Sequence, residues 1–290
     1  MSAAADRANA LRWDGRAGRY EVWYLIVAGK FWLRYTLRVP TDPAEEGEAA
    51  LWLVSFAGTP AARKEVFPLE AFRAPGSGWP IELGPARLCG TAAHGSLAGA
   101  RWELELHGDA PPFAHTHPLV RALRVAKTQL VCSAPALAIS GFVEVDGVRQ
   151  ALDRAPGHQA HIWGSRHAQR WGWAHANGPG GRWVEALAAK VPGAPQLALW
   201  ATEERRANGP LALLRTHALV EPGRLEVGPY RVEADPRSVV GVTYQDPDGT
   251  PAYCYHAECA RLRGPGIDVD TAALEYGTRE PLPGVPLALI

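Results

Sequence analysis

This chain contains few cysteines and no long apolar run. The cysteines predict no disulfide framework because they are few and irregularly spaced: Cys89, Cys132, Cys254 and Cys259. We interpret them as reduced, buried thiols of a cytoplasmic protein. No apolar run approaches the length of a membrane span, and residues 1–12 lack the apolar core of a signal peptide. The sequence therefore predicts no transmembrane segment, and a transient membrane contact stays open.

Positive and negative charges are also balanced in this chain. The chain has 30 Lys and Arg against 30 Asp and Glu, so no net field favours nucleic acid as a partner. The sequence also lacks a Gly-x-Gly-x-x-Gly segment after a strand, a Gly-Lys-Ser/Thr phosphate loop and a Gly-x-Ser-x-Gly elbow. We expect no cofactor and a hydrophobic small molecule as the partner, with the oligomeric state left open.

Glycine and proline are abundant and divide the chain into short segments. With 30 Gly and 25 Pro in 290 residues, the spacing of turn signals is typical of an all-β fold. Residues 19–27 and 31–39 are predicted to form a hairpin that turns at Ala28-Gly29-Lys30, and Asp146-Gly147 predicts a two-residue hairpin. A strand is also predicted over residues 211–220. Only two short helices are predicted, over Ala61–Phe72 and Leu119–Lys127.

An internal similarity predicts two β units in tandem. Trp23 is followed nine residues later by Trp32, and Trp173 is followed ten residues later by Trp183, each pair within an aromatic hairpin. We place one unit at residues 1–153 and the other at residues 154–290. Sheets of this many strands avoid open edges by closing, so each unit is expected to curl into a barrel.

Residues 157–177 concentrate aromatic and titratable side chains. The segment holds three of the 11 tryptophans and four of the 10 histidines. On a strand, one face would carry alternate residues: Gln169, Trp171, Trp173, His175 and Asn177. We interpret this face as the wall of a cavity with an apolar inner end and a polar outer end.

The same residues resemble the signature of tocopherol cyclases. Trp163-Gly164, Trp171, Trp173 and Asn177 follow the spacing of that family's Trp-Gly…Trp-x-Trp…Asn pattern. Residues 20–24 resemble its Glu-Gly-Trp-Tyr opening, and residues 140–147 resemble the strand and turn before the signature. The wider group includes carotenoid hydratases of the hydroxyneurosporene synthase type and some pericyclic cyclases of natural-product pathways. The resemblance implies two successive lipocalin-like (calycin) barrels with short helices in the connections.

Four positions depart from these families. Ala160 stands where carotenoid hydratases have the Asp of an Asp-His-x-Trp-Gly motif, although His161 is retained. Residues 167–168 are His-Ala, where tocopherol cyclases have an aromatic residue and Pro, and Val22 replaces a Gly. The missing acid makes a hydratase the less favoured activity.

The predicted site combines proton donors with aromatic faces. A buried Glu has a raised pKa and a His titrates near neutral pH, so either can donate a proton. The catalytic candidates are Glu21, His161 and His175. The substrate-binding candidates are Trp23, Trp163, Arg166, Trp171, Trp173 and Asn177.

Each candidate also has a structural alternative. Trp163 and Trp171 can be core residues, His175 can hydrogen-bond a loop, Glu21 can pair with an arginine, and Arg166 can form a salt bridge. His115-x-His117 and His158-x-x-His161 lack the companion ligands of a zinc site, so no metal is predicted.

We expect a cofactor-free cyclase or isomerase acting on a hydrophobic small molecule, isoprenoid or polyketide-like. A non-catalytic carrier of an apolar ligand, a carotenoid-hydratase-type lyase and a structural protein with a filled core remain alternatives.

Overall fold

The chain folds almost entirely into two large β-sheets. The computed structural model describes residues 2–56, 60–118 and 127–289. Sheet A has 12 strands and sheet B has 11. The predicted all-β class is confirmed.

Sheet A contains the first half of the chain. Its strands are β1 (Arg19–Val27), β2 (Phe31–Val39), β3 (Glu48–Ser55), β4 (Ala61–Pro68), β5 (Phe72–Arg73), β6 (Ile81–Leu83), β7 (Ala86–Leu88), β8 (Ala92–Leu97), β9 (Ala100–His107), β10 (Phe113–Ala114), β11 (Thr128–Val145) and β12 (Val148–Gly164). They are ordered β4-β3-β2-β1-β12-β11-β9-β8-β7-β6-β5, and β10 pairs with β11. Because β3 and β4 also contact β6 and β8, the sheet curls into a nearly closed barrel, barrel A.

Sheet B contains the second half. Its strands are β13 (Arg170–Asn177), β14 (Trp183–Lys190), β15 (Gln196–Thr202), β16 (Arg206–Ala207), β17 (Ala218–Glu221), β18 (Arg224–Val227), β19 (Tyr230–Glu233), β20 (Val240–Gln245), β21 (Pro251–Gly264), β22 (Ile267–Thr278) and β23 (Leu287–Leu289). The order β16-β15-β14-β13-β22-β21-β19-β18-β17, with β20 paired to β21, repeats the pattern of sheet A. Contacts of β14 and β15 with β17 and β18 fold this sheet over as barrel B.

Helices are short and lie in connections. In the described part of the chain they are α1 (Ala3–Asn9) and α2 (Pro210–Arg215), with single 3-10 turns at Leu69–Ala71, Pro179–Gly181 and Pro236–Ser238. The predicted helix Ala61–Phe72 is wrong, because residues 61–68 pair with β3 along their whole length. The predicted helix Leu119–Lys127 falls on residues 119–126, outside the described part of the chain. The strand predicted over residues 211–220 begins only at Ala218, since α2 occupies its first part.

The apolar side chains form three layers. One cluster fills barrel A, another fills barrel B, and a third lies between the two sheets. Strand β1 shows the alternation: Trp23 and Leu25 point into barrel A, while Tyr24 and Ile26 point toward sheet B. We call the third cluster and the polar groups within it the inter-barrel layer.

The chain passes from one sheet to the other between Gly164 and Arg170. The predicted domain division between residues 153 and 154 falls within β12, which belongs to sheet A along its whole length. That division stays a prediction.

Candidate functional site

Two predicted catalytic residues meet inside barrel A. Glu21 on β1 and His161 on β12 are both buried, and Glu21 Oε1 lies 2.7 Å from His161 Nε2. Trp23 is the cross-strand partner of His161, and its indole stacks on the imidazole with 4.7 Å between ring centroids. We call the first two residues the Glu21–His161 dyad.

The N-terminal segment covers this dyad. We call residues 2–13, which include α1, the N-terminal strap. The backbone N–H groups of Arg12 and Trp13 donate to the two Glu21 oxygens at 2.7 and 2.8 Å. The second nitrogen of the dyad's imidazole, Nδ1, lies 2.8 Å from the carbonyl oxygen of Ala8. The strap thus occupies the space directly over the acid–base pair.

Aromatic rings surround the imidazole. Trp163, half-buried, lies 4.8 Å from it between centroids, and Phe72 lies 5.5 Å from the ring of Trp23. The guanidinium of Arg12 lies 5.3 Å above the ring of Trp163. The indole N–H of Trp23 donates to the carbonyl of Asn9 in the strap at 2.7 Å.

Both ring nitrogens of His161 face oxygen atoms, one from the Glu21 carboxyl group and one from the backbone carbonyl of Ala8. A neutral imidazole carries a single N–H and can donate to only one of them. The dyad therefore places a proton shared between an imidazole and a carboxyl group beside aromatic faces.

The remaining predicted aromatic residues lie on the opposite side of sheet A, in the inter-barrel layer. Trp171 and Trp173 belong to this layer, whereas Ala174 and Ala176 on the same strand point into barrel B. The predicted sharing of a face by alternate residues of β13 is confirmed. This face packs against sheet A.

A buried carboxylate, Glu185 on β14, connects the polar groups of this face. Its Oε1 accepts from the indole N–H of Trp173 at 2.5 Å and lies 2.6 Å from His115 Nε2. Its Oε2 lies 2.5 Å from His175 Nδ1. The carbonyl oxygen of Pro135 lies 3.0 Å from His175 Nε2 and accepts from the Asn177 amide.

Burial and local charge shift several pKa values here. Burial opposes ionisation of Glu185, but the charge of His115 and hydrogen bonds from His115 and His175 hold its pKa well below the usual range. Burial and the neighbouring His175 hold the pKa of His158 well below its ordinary value. Burial raises the pKa of the Cys132 thiol.

His158 also lacks hydrogen bonds. Its ring stacks on that of His175 at 3.7 Å between centroids, and neither of its nitrogens has a hydrogen-bond partner among the described residues.

Glu275 on β22 organises a second polar cluster of the same layer. Its carboxylate accepts from the indole of Trp171 and from Arg34, both at 2.7 Å, and lies 3.3 Å from His256 Nδ1. Arg34 also donates to the hydroxyl of Tyr244. Burial lowers the pKa of His256 to about 3. For Glu275, burial acts in the raising direction, but His256 and Arg34 outweigh it and lower its pKa to about 2.

The two clusters also contain the donor sets that could hold a metal. Within each, a Cys, a His and a Glu present ligand atoms within 4.8 Å of one another: Cys132, His175 and Glu185, and Cys254, His256 and Glu275. In the second cluster, the guanidinium of Arg34 already supplies a positive charge at the carboxylate.

Arg166 stands apart from both regions. It is exposed and lies 4.0 Å from Asp248. The structure therefore separates the predicted site residues into the dyad with Trp23 and Trp163, the inter-barrel layer, and this surface arginine.

Side chains fill the space around the predicted tryptophan face. Trp171 and Trp173 are 7% and 6% exposed. Two open depressions, of about 410 and about 630 Å³, lie along β8 and β9 and are lined by none of the predicted residues. The Trp-rich cavity therefore stays a prediction.

The sequence interpretation missed the two carboxylates that organise the inter-barrel layer. Glu185 is the cross-strand partner of His175, and Glu275 is the partner of Trp173. The signal for Glu185 is its position two residues after Trp183, on the same face of an apolar strand. His115 lies on a loop, where no periodicity indicates its direction.

Comparisons with known proteins support the fold. No family model matches the chain. An uncharacterised protein of Mycobacterium tuberculosis is 29% identical over 87% of this chain and 82% of its own length. None of the described helices is long and apolar enough to cross a bilayer.

Three crystal structures share the architecture. One is a protein of Nitrosomonas europaea described as a candidate AttH (TM-score 0.60, 13% identity, 92% of this chain and 96% of that one). Another is kievitone hydratase from Nectria haematococca (0.54, 10%, 96% and 92%). The third is CghA with Sch210972 (0.56, 13%, 90% and 88%). The predicted fold of two successive lipocalin-like barrels is confirmed.

Proposed function

We propose that the protein is a cofactor-independent cyclase or isomerase that acts on a hydrophobic small molecule, isoprenoid or polyketide-like, at the Glu21–His161 dyad. The observation that carries the proposal is the 2.7 Å contact between two buried acid–base groups beside the rings of Trp23 and Trp163. Buried ionisable groups in direct contact are typical of functional sites, because their desolvation costs folding free energy.

In the proposed reaction the substrate displaces the N-terminal strap. A carbonyl or hydroxyl oxygen of the substrate takes the place of the Ala8 carbonyl and accepts the hydrogen bond of His161 Nδ1. Glu21 stabilises the protonated imidazole before transfer. Afterwards the neutral imidazole keeps its Nε2 proton on Glu21, and Nδ1 takes a proton back from the cyclised or isomerised intermediate. The barrel folds the flexible substrate, which supplies the entropic part of the catalysis. Any developing positive charge gains about 0.5–2 kcal/mol from each indole face.

The structural relatives support a small-molecule site. One is by name a hydratase of kievitone and another was solved with Sch210972. Position 160, where carotenoid hydratases have an acid, belongs to the inter-barrel layer in this chain. An acid at this position would therefore lie outside the proposed site. A hydratase-type lyase and a non-catalytic carrier remain the alternatives.

Incubation with a panel of polyprenyl quinols and linear polyene ketones, followed by liquid chromatography and mass spectrometry, separates these functions. A cyclase or isomerase yields a product of unchanged mass and different retention. A hydratase adds the mass of one water molecule, and a carrier retains the compound unchanged. The assay distinguishes the three functions by the product alone, so its result does not depend on which residues carry out the reaction.

Variants then test the dyad. His161→Gln is expected to lower the rate of conversion by about 10²–10⁴-fold, because it removes the transferable proton. Glu21→Gln should also lower it, whereas the exposed His94→Gln should not. Wild-type rates in both dyad variants would refute the assignment.

A further inference from the structure

Three potential metal ligands, Cys132, His175 and Glu185, lie close together between the barrels, and a fourth, His115, contacts the carboxylate of this group. His115 follows β10 and Cys132 lies on β11, both in sheet A, while His175 and Glu185 lie on β13 and β14 of sheet B. His115 Nε2 and His175 Nδ1 approach the Glu185 carboxylate at 2.6 and 2.5 Å. The sulfur of Cys132 lies within 4.8 Å of the ligand atoms of His175 and Glu185. All four residues are 3% exposed or less.

The outer contacts of these residues match those of metal ligands. The far nitrogen of His115 lies 3.0 Å from the carbonyl oxygen of Leu130, and that of His175 lies 3.0 Å from the carbonyl oxygen of Pro135. Backbone carbonyls hold metal-binding imidazoles in this way and select the tautomer whose near nitrogen carries the lone pair. The indole N–H on Glu185 likewise resembles a hydrogen bond to a ligating carboxylate.

A cation also fits the contacts of the cluster. Each imidazole faces oxygen atoms at both ring nitrogens, whereas a neutral imidazole has one N–H and can donate to only one of them. A divalent ion at the centre of the cluster would bind the other nitrogen of each ring. The ion with two neutral imidazoles, one thiolate and one carboxylate is neutral overall.

We propose that His115, Cys132, His175 and Glu185 bind a zinc ion that fastens barrel A to barrel B. Thiolate, imidazole and carboxylate together are typical zinc ligands. Zn–N distances of about 2.0–2.1 Å place tetrahedral ligands about 3.4 Å apart. The carboxylate and the imidazoles therefore separate by about 1 Å on binding. Four protein ligands leave no open position, so this zinc is structural and independent of the proposed reaction.

The second Cys-His-Glu group provides a matched control. Cys254 is buried, as Cys132 is, and its sulfur lies 3.6 Å from Glu275. Because Arg34 already occupies the cationic position beside that carboxylate, Cys254→Ser is expected to leave zinc binding unchanged.

The test uses the full-length protein, purified without chelator and without an affinity tag. Inductively coupled plasma mass spectrometry of the wild type is expected to find zinc equimolar with the chain. Cys132→Ser and His115→Gln should lose at least about tenfold in zinc affinity. Substitution with Co²⁺ should give tetrahedral d–d bands and a thiolate-to-cobalt charge-transfer band, and Cys132→Ser should lose the charge-transfer band. The folded state of each variant is checked by circular dichroism.

Three results would overturn the proposal. One is wild-type protein that is folded, contains no zinc and gives no cobalt spectrum after addition of Co²⁺. Another is an equal loss of zinc from Cys132→Ser and Cys254→Ser. The third is an unchanged charge-transfer band in Cys132→Ser. Should Cys132→Ser fail to fold, the wild-type cobalt spectrum decides alone, since among the described residues only the proposed ligand set brings a thiolate together with two imidazoles.

Discussion

A single arginine of barrel A is held within the inter-barrel layer by groups of barrel B. The Arg34 side chain is 9% exposed, and Nη2 lies 2.7 Å from Glu275 Oε2. Its guanidinium also lies 4.6 Å from the ring of Trp32 and 5.0 Å from that of Tyr244. The positive charge is thus paired and enclosed by aromatic faces.

Arg34→Met is expected to destabilise the protein by about 3–5 kcal/mol, because it leaves the Glu275 carboxylate buried without its partner. The double variant Arg34→Met/Glu275→Gln should recover part of this loss. Urea unfolding monitored by tryptophan fluorescence measures both. Arg261→Met removes an exposed pair with Asp268 and should leave the urea midpoint unchanged. Equal midpoints for Arg34→Met and the wild type would contradict the prediction.

For individual residues, the sequence predicted the positions of the aromatic side chains but not those of the carboxylates that contact them. The alternation of residues 169–177 correctly placed Trp171, Trp173 and His175 on one face. Their partner carboxylates come from strands whose pairing is decided by the whole sheet, so no local period could identify them. Glu21 and His161 are 140 residues apart in the sequence, and their contact likewise depends on the pairing of β1 with β12.

Among the secondary-structure elements, the hairpin turns could be predicted from the sequence. Whether an amphipathic segment forms a helix or a strand could not. Asp146-Gly147 and the turn at Ala28-Gly29-Lys30 need residues that adopt positive φ, and Asp146, Gly147 and Gly29 do so. Residues 61–68 have no such local signal, and pairing with β3 determines their conformation. In residues 211–220, Pro210 at the first helical position starts a short helix that the apolar pattern did not reveal.

The N-terminal strap is an element whose removal can be tested. A chain lacking residues 2–13 loses both backbone donors to Glu21 and the acceptors of His161 and Trp23. We expect a lower urea midpoint and increased fluorescence of anilinonaphthalene sulfonate, since the aromatic rings around the dyad become accessible. A chain lacking only residues 2–4 keeps these contacts and serves as control. Unchanged dye fluorescence in the longer deletion would show that the strap does not cover an apolar site.

For the whole molecule, the Glu275 cluster predicts a loss of stability in acid. The folded pKa of His256 is about 3 against an ordinary 6.5, and that of Glu275 is about 2 against 4.5. Between these values the unfolded chain binds more protons than the folded one, so the free energy of unfolding falls as the pH falls from 6.5 toward 2. The groups facing this pair are Arg34, Tyr244, Cys254 and Glu258.

Thermal unfolding between pH 7 and pH 3 measures this dependence. The melting temperature of the wild type should fall steadily, and that of Arg34→Met/Glu275→Gln should fall less, because the double variant lacks the Glu275 contribution. Glu258 acts in the opposite direction: burial raises its pKa well above 4.5, so its contribution to stability is lost as the pH rises. Glu258→Gln should therefore stabilise the protein near neutral pH. A melting temperature independent of pH below 6.5 would contradict the assignment.

The two barrels repeat one strand order but present opposite charges to each other. Trp32 and Trp183 lie in the inter-barrel layer on the second strand of each sheet, and two residues further along stand Arg34 and Glu185. Glu275, the carboxylate that binds Arg34, comes only from barrel B. Two copies of barrel A would therefore bury their arginines without counter-ions. The two barrels therefore behave like the unlike subunits of a heterodimer joined in one polypeptide, and neither barrel can replace the other.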